Sequence, residues 1–234
     1  MPPNTTHSDG LDDTVGRVYV RRRGRMTAGQ TRALAQDTDR FRISAEQWQI
    51  LAQQAATDGR AVGLEIGFGM GQAVVQWCAQ EPDLQVVGVE VYQPGIGSAM
   101  LMAAQQEVHN LHIVDGDADA LLQLTPAAPW LKEVRVFFPD PWPKKRHHKR
   151  RLLQAPFIAT LAQRLVPGGL LRVATDWKPY ADDINQVLGA AQMLINLGNA
   201  EGFAPRFAQR GTTNFEARGQ RLGHGTWDFL YQKA

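Results

Sequence analysis

Short apolar runs alternate along this chain with longer stretches in which apolar positions recur at helical spacing. The short runs predict strands at 61–66, 85–90, 111–114, 134–138, 170–175 and 226–232. The helical stretches lie at 72–80, 94–109, 118–124, 152–165 and 180–197, and an earlier helix is predicted at 44–56 with Ser44 as its N-cap. Strand–helix alternation over this length predicts an open, parallel α/β sheet with helices on both faces.

The length and composition suit one compact domain. The chain has 234 residues, of which 44% are hydrophobic, enough for a sizeable α/β core. We expect this domain to span 17–234, and we expect residues 1–16, which are polar and lack periodicity, to form a disordered tail. Five arginines between positions 17 and 25, with no acidic residue among them, give the domain a basic N-terminal arm. Because the net charge is only +2, affinity for nucleic acid must come from such local clusters.

The composition also excludes several classes of protein. Cys78 is the single cysteine, so an intramolecular disulfide or a cysteine-rich metal site is excluded. The adjacent His147 and His148 have no third metal ligand at suitable spacing. No stretch reaches the roughly 20 apolar residues of a membrane-spanning helix, and the first residues lack an apolar signal region. We therefore expect a cytoplasmic protein without membrane association or bound metal, and a monomer or weak homodimer.

A glycine-rich turn follows the first predicted strand and opens the next helix. Gly67, Gly69 and Gly71 permit a tight turn and a close approach of the backbone to a ligand. The dinucleotide fingerprint requires glycine at the position that Gln72 occupies, which disfavours an NAD-dependent oxidoreductase. Glu65, inside the strand, would repel a pyrophosphate and attract an ammonium or sulfonium group. The turn therefore favours a positively charged cofactor, and S-adenosylmethionine fits better than NAD.

Acidic residues also follow the second and third predicted strands. Glu90 ends the second strand, where a carboxylate can accept hydrogen bonds from ribose hydroxyls. Asp117 is placed to accept a hydrogen bond from an adenine amino group, to cap the helix that begins at Ala118, or to do both, and Asp115 competes for the adenine contact. Because the carboxyl ends of parallel strands lie at one edge of a sheet, we expect these acids and Glu65 to surround one site.

The fourth predicted strand runs into a proline-rich loop at 137–143. Asp140 and Trp142 each precede a proline, so both are expected to be held extended. An aspartate fixed at the mouth of a parallel sheet is a candidate catalytic residue. In the next segment, 144–151, six of eight residues are basic and the other two are histidines. Cations at a helix start oppose the helix dipole, so this segment predicts a nearby anion such as an RNA phosphate.

Two later segments are candidates for substrate contact. Asp176, at the end of the fifth predicted strand, either contacts the substrate or caps a helix. The polar, glycine-rich stretch at 212–225 forms either a substrate lip, in which Phe215 packs or stacks, or an ordinary surface loop. Trp142 and Trp177 either line the pocket or belong to the core.

Five sequence blocks together resemble the signature of the bacterial tRNA (guanine-N7)-methyltransferases. They lie at 64–71, 88–91, 137–151, 174–177 and 213–219, and the resemblance extends from about Arg17 to the C-terminus. It implies a class I methyltransferase fold, mostly parallel with an antiparallel C-terminal strand. It also implies transfer of a methyl group from S-adenosylmethionine to N7 of the variable-loop guanine (position 46) in tRNA.

The resemblance implies a role for each residue that matches the motifs. The cofactor-binding residues would be Glu65, Gly67, Gly69, Gly71, Glu90, Asp117 and Asp140, of which Asp140 would also be catalytic. The substrate-binding residues would be Lys144, Asp176, Thr213, Asn214, Phe215 and Glu216, although Asn214 stands where many relatives carry lysine. The RNA-binding residues would be Arg146, His147, His148, Lys149, Arg150 and Arg151.

Methylation of guanine N7 removes no proton, so Asp140 is interpreted as an orienting and electrostatic group rather than a general base. Two other functions fit the same residues. One is an S-adenosylmethionine-dependent methyltransferase of another RNA, and the other is a noncatalytic RNA-binding module on the same fold.

Overall fold

The computed structural model describes residues 24–36, 38–210 and 225–234. Its α-helices are α1 (Ala28–Gln36), α2 (Thr38–Phe41), α3 (Ala45–Asp58), α4 (Gln72–Gln80), α5 (Gln93–Gln105), α6 (Ala118–Gln123), α7 (Ala155–Arg164) and α8 (Lys178–Gly189). Its strands are β1 (Val62–Ile66), β2 (Gln85–Glu90), β3 (Leu111–Asp115), β4 (Leu131–Phe137), β5 (Leu165–Thr175), β6 (Leu194–Asn196) and β7 (Trp227–Lys233). Two short 3-10 helices lie at Lys145–Arg150 and Ala208–Arg210.

The seven strands form one sheet in the order β3-β2-β1-β4-β5-β7-β6. Strands β1 to β5 pair in parallel, whereas β7 runs antiparallel to both β5 and β6. The predicted parallel sheet with an antiparallel C-terminal strand is therefore confirmed. The strand order reverses between β1 and β4, and open α/β sheets bind ligands beyond the carboxyl ends of their strands at such a switch point.

Both faces of the sheet are covered, which is why β1 is buried along its whole length. Successive residues of β2 alternate between two hydrophobic clusters, with Val87 and Val89 in one and Val86 in the other. The first cluster includes side chains from α3, α6, α7 and α8, and the second includes side chains from α1, α4 and α5. A β-carbon added at Gly63 would lie 2.4 Å from the Trp77 ring, so glycine there lets α4 pack directly on β1.

Helix α3 begins as the sequence predicts. The Ser44 hydroxyl accepts a hydrogen bond from the Gln47 amide at 3.1 Å, and the Gln47 side chain accepts one from the Ser44 amide at 2.8 Å. This reciprocal capping box satisfies two amides that a helix start otherwise leaves unpaired. Trp48 of α3 is fully buried, and its indole N–H donates to the Leu121 carbonyl at 2.9 Å.

Several of the predicted boundaries are wrong. The helix expected at 94–109 ends at Gln105, and the strands expected at 134–138 and 170–175 begin at Leu131 and Leu165. The helix expected at 180–197 ends at Gly189, and Leu194–Asn196 pairs with β7 as an edge strand instead. Tertiary hydrogen bonds to a distant strand override helical periodicity here. The helix expected at 152–165 begins at Ala155, because Pro156 lies in the first turn, where a missing amide does no harm.

Candidate functional site

The carboxyl ends of five parallel strands meet at one edge of the sheet. Backbone pairing continues just past the strands, because the Gly67 amide donates to the Val89 carbonyl at 2.8 Å and the Phe138 amide donates to the Ala174 carbonyl at 2.7 Å. The acids predicted at strand ends therefore lie along one edge, in the spatial order Asp117, Glu90, Glu65, Asp140 and Asp176.

The glycine-rich turn between β1 and α4 needs its glycines for two different reasons. Gly67, Gly69 and Gly71 all have positive φ angles, of 71°, 57° and 88°. A β-carbon added at Gly67 or Gly69 would meet no atom within 4 Å, so both present bare backbone to open space. One added at Gly71 would lie 2.4 Å from the Ala99 β-carbon, so Gly71 instead lets the turn approach α5.

A small, open pocket lies above this turn. The residues that line it are Glu65, Gly67, Phe68, Gly69, Met70, Gly71, Gln72, Ala73, Phe137 and Phe138. Glu65 is 2% exposed, and its Oε2 atom has no hydrogen-bond partner among the described residues. Burial raises the pKa of Glu65 to about 8, although the charge of Arg135 opposes the shift. A buried acceptor without a donor, beside open backbone, fits the ammonium group of an amino-acid ligand such as the methionyl part of S-adenosylmethionine.

A row of buried charges runs across the sheet beside Glu65. Arg135 is its register partner on β4 and donates to Glu133 at 2.6 Å. Glu133 also accepts from Arg172 at 3.0 Å, and the Arg135 guanidinium lies 3.5 Å from the Trp77 ring centroid. Sequence reasoning missed this network. The two-residue spacing of Glu133 and Arg135 was the available signal, since such residues share one face of a strand.

Glu90 fastens the glycine-rich turn to β2. Its Oε2 accepts from the Gly69 amide at 2.7 Å, and its Oε1 accepts from the amides of Val91 and Tyr92 at 2.7 and 3.0 Å. Burial raises the pKa of Glu90, and these three backbone hydrogen bonds partly counteract the rise. A carboxylate offers about four acceptor positions, so about one remains for a ligand hydroxyl.

The two acids at the end of β3 and just after it have separate partners. Asp117 accepts from the Ala120 amide at 2.9 Å, so the predicted cap of α6 is confirmed. Asp115 accepts from the Gln93 side chain at 2.5 Å, and its Oδ1 is buried without a partner among the described residues. Which of the two contacts an adenine stays a prediction.

The loop after β4 has an unusual backbone. Phe138 and Trp142 have positive φ angles of 53° and 44°, which bulky residues rarely adopt. The prediction that Trp142 is extended is therefore wrong. Side-chain contacts hold it instead: its ring packs edge-to-face on His147 at 5.7 Å and lies 5.1 Å from the Arg150 guanidinium. Asp140, between these two residues, is exposed.

Most of the predicted RNA-binding segment faces solvent. The exposed cations are Lys144, Lys145, Arg146, Lys149 and Arg150, and His147 and His148 are half-buried. Arg151 is 3% exposed: its Nε donates to the Pro141 carbonyl at 2.8 Å, its Nη1 pairs with Asp183, and its guanidinium lies over the Tyr180 ring. The guanidinium of Arg151 is thus directed into the protein, unlike the exposed cations before it, and its contact with RNA stays a prediction.

Asp176 is half-buried after β5. It is not the cap of α8, whose N-cap residue is Trp177 without a side-chain hydrogen bond. The predicted substrate residues Thr213–Glu216, the tail at 1–16 and the arm at 17–23 lie outside the described residues.

A second buried ion pair lies at the same edge. Arg210, which ends the described range 38–210, is fully buried and donates to Asp228 of β7 at 2.5 Å. Its guanidinium also lies 5.3 Å from the Phe137 ring and 5.1 Å from the Phe138 ring. Sequence reasoning missed this pair, which fixes the chain at 210 against the end of β4.

A family model described as "Putative methyltransferase" matches residues 59–229. The tRNA (guanine-N(7)-)-methyltransferase of Alcanivorax borkumensis is 41% identical over 217 residues, which cover 93% of this chain and 91% of that protein. The enzyme of the same name from Thiobacillus denitrificans is 43% identical over 218 residues, which cover 93% of this chain and 95% of that protein. The chain belongs to the tRNA (guanine-N(7)-)-methyltransferase family.

Solved structures support the fold expected of this family. The aminoglycoside resistance methyltransferase NpmB1 matches with a TM-score of 0.51 at 16% identity, over 78% of this chain and 91% of that one. An rRNA methylase from Streptococcus thermophilus matches with a TM-score of 0.50 at 13% identity, over 79% of this chain and 94% of that one. The class I methyltransferase fold is thus confirmed. Across 24–36, 38–210 and 225–234, no helix has the length and apolarity to cross a membrane, and no group of three or more metal-ligating side chains occurs.

Proposed function

We propose that this protein transfers the methyl group of S-adenosylmethionine to N7 of guanine in tRNA, and that the target is the variable-loop guanine. The observation that carries the proposal is the buried Oε2 of Glu65, which has no hydrogen-bond partner in the described part of the chain and lies next to the bare backbone of Gly67 and Gly69. Asp140 and an exposed basic segment lie at the same edge of the sheet. The names of relatives more than 40% identical give the reaction.

The pocket residues divide the task of holding the methyl donor. S-adenosylmethionine supplies an electrophilic methyl group on a positively charged sulfur. Glu65 binds the ammonium group of the cofactor. Its ionised carboxylate accepts charge-assisted hydrogen bonds that replace the water molecules which the ammonium group loses on entering the pocket. Glu90 holds the glycine-rich turn in place and offers its remaining acceptor position to a ribose hydroxyl. Asp117 or Asp115 accepts from the adenine amino group.

Asp140 orients the guanine rather than removing a proton. N7 is a lone pair in the ring, so its methylation needs no general base. Asp140 is exposed at the mouth of the site, where its carboxylate accepts from guanine N1–H and the 2-amino group. The same negative charge favours the positive charge that develops on the purine. Holding reactants in line supplies about 7–11 kcal/mol of the barrier reduction, and Asp176 shares this positioning role.

The exposed cations bind the RNA backbone. Lys144 and the 3-10 helix Lys145–Arg150 lie directly after the Asp140 loop, so phosphate contacts there bring the target nucleotide to the carboxylate. Residues 213–216 are proposed to contact the substrate as well. We place this activity in the cytoplasm, in a monomer or weak homodimer.

The test is methylation of bulk tRNA with a labelled methyl donor, followed by mapping of the modified base. We expect 7-methylguanine in the variable loop. Asp140→Ala should lose single-turnover activity while its tRNA affinity stays nearly unchanged, whereas Asp83→Ala, on an exposed turn before β2, should behave as the wild type. A normal single-turnover rate in Asp140→Ala would refute the role of this residue. Methylation of ribosomal RNA alone, or of no RNA, would refute the function.

A further inference from the structure

The loop that carries Asp140 has an intrinsically unfavourable backbone conformation. Phe138 and Trp142, on either side of Asp140, both have positive φ angles without being glycine. Such residues persist only where the surrounding structure fixes them, and they cluster at functional sites. The contacts that fix this loop therefore decide where the Asp140 carboxylate lies.

One side chain reaches this loop from inside the protein. The Arg151 Nε donates to the carbonyl of Pro141, the residue next to Asp140, at 2.8 Å. The Nη1 of the same guanidinium pairs with Asp183 of α8. At 3% exposure Arg151 is shielded from solvent, in contrast to the exposed cations just before it.

Helix α8 provides the residues that hold this guanidinium in place. The Arg151 guanidinium lies over the Tyr180 ring, with its Cζ atom 4.7 Å from the ring centroid. The Tyr180 hydroxyl accepts a hydrogen bond from the Leu153 amide at 3.2 Å. Tyr180 and Ile184 of α8 are completely buried against the sheet. Burial raises the pKa of Tyr180 to about 12, although the hydrogen bond from the Leu153 amide and the charge of Arg151 oppose the rise.

We propose that Arg151 is a positioning residue that, anchored by Asp183, holds the Asp140 loop in its active geometry and makes no contact with RNA. This inference rests on the proposed function, in which Asp140 orients the guanine. A planar guanidinium bonds a carbonyl and a carboxylate at once while stacking on a ring, and the point charge of lysine cannot do all three. The inference separates Arg151 from the basic segment to which its sequence position assigns it.

The experiment compares Arg151→Lys and Asp183→Asn with Asp182→Asn. Asp182 is the exposed neighbour on α8 whose partner is Lys178, so its variant is the matched control. Three quantities are measured: the single-turnover methylation rate at saturating tRNA, the salt dependence of tRNA binding, and hydrogen–deuterium exchange of the loop at 138–144. Exchange is read in the full-length protein without substrate, so it is independent of methylation.

We expect Arg151→Lys and Asp183→Asn each to lower the single-turnover rate by on the order of 10- to 100-fold and to speed exchange in the loop. The double variant should be no slower than the slower single variant, because both changes remove the same contact. The slope of log affinity against log salt should stay at the wild-type value. Arg150→Gln, by contrast, should lower that slope by roughly 0.7–0.9.

The proposal is overturned if Asp183→Asn behaves like Asp182→Asn. It is also overturned if Arg151→Gln, which removes the charge that Arg151→Lys keeps, lowers the salt slope as Arg150→Gln does while loop exchange is unchanged. Asp183 is half-exposed, so its variant tests the idea even where the Arg151 variant fails to fold. Absence of tRNA methylation by the wild type would refute the proposed function. It would leave the exchange result readable, so the two failures are distinguishable.

Discussion

Replacing Glu65 with glutamine should make the protein more stable at neutral and alkaline pH while it weakens cofactor binding. The pKa of this carboxyl group is raised from 4.5 to about 8, chiefly by burial. Between those values the folded protein retains a proton at Glu65 that the unfolded chain has released. Stability of the wild type must therefore fall as the pH rises through this window, from about pH 4.5 to about pH 8. Glutamine has nearly the same shape and does not titrate, so the variant escapes this loss.

The size of the effect follows from the pKa shift. One pKa unit corresponds to about 1.4 kcal/mol. The difference in free energy of unfolding between the variant and the wild type should therefore grow by up to that amount per pH unit, in favour of the variant. Across the whole window the gain approaches about 5 kcal/mol, which is comparable to the total stability of a small domain. Affinity for S-adenosylhomocysteine should fall in the same variant, because a neutral amide attracts an ammonium group less strongly than a carboxylate does. Glutamate at position 65 thus lowers the folding stability of the protein and raises its affinity for the cofactor.

Urea unfolding of both proteins at pH 5, 6, 7 and 8 measures the difference directly. Glu46→Gln, at an exposed acid in the first turn of α3, is the matched control and should show no such trend. A difference between wild type and Glu65→Gln that is constant across these pH values would show that the Glu65 carboxyl is ionised in the folded protein. A difference that grows with pH in favour of the wild type would contradict the reasoning altogether.

Three further predictions concern other parts of the site. Binding of S-adenosylhomocysteine at pH 7 should release a proton from Glu65, seen in calorimetry as an enthalpy that varies with the buffer, and an enthalpy equal in all buffers would argue against it. Removing the charges of Lys149 and Arg150 together should lower the salt slope of tRNA binding by roughly 1.4–1.8, and an unchanged slope would mean that this surface is only solvated. Arg210→Met should lower stability by about 3–5 kcal/mol because it leaves Asp228 buried and unpaired, as chemical denaturation would show; a loss below about 1 kcal/mol would exclude a structural role for the pair.

The regular elements could be predicted where local pattern and tertiary structure agree. The predicted helix at 72–80 and the predicted strand at 85–90 have the bounds that the structure gives. The segment at 194–196 could not be predicted, because its strand conformation depends on hydrogen bonds to β7, more than thirty residues away in the sequence.

The candidate site divides in the same way. The acids at the strand ends could be predicted to lie together, because parallel topology alone brings those ends to one edge. The direction of each side chain in a uniform basic segment could not be predicted. Arg150 and Arg151 are the same residue type at adjacent positions, yet one faces solvent and the other binds Pro141 and Asp183. Only the contacts of α8 distinguish them.

The position of β7 inside the sheet has a consequence for how the chain folds during its synthesis. β7 is the last strand to leave the ribosome, but it lies between β5 and β6, so β6 has no neighbour to join until then. It also brings Asp228, which pairs with the buried guanidinium of Arg210. A nascent chain that has emerged only as far as β6 therefore exposes an open strand edge, which makes it prone to aggregate. Completion of the sheet is thereby delayed until residues beyond 227 are translated.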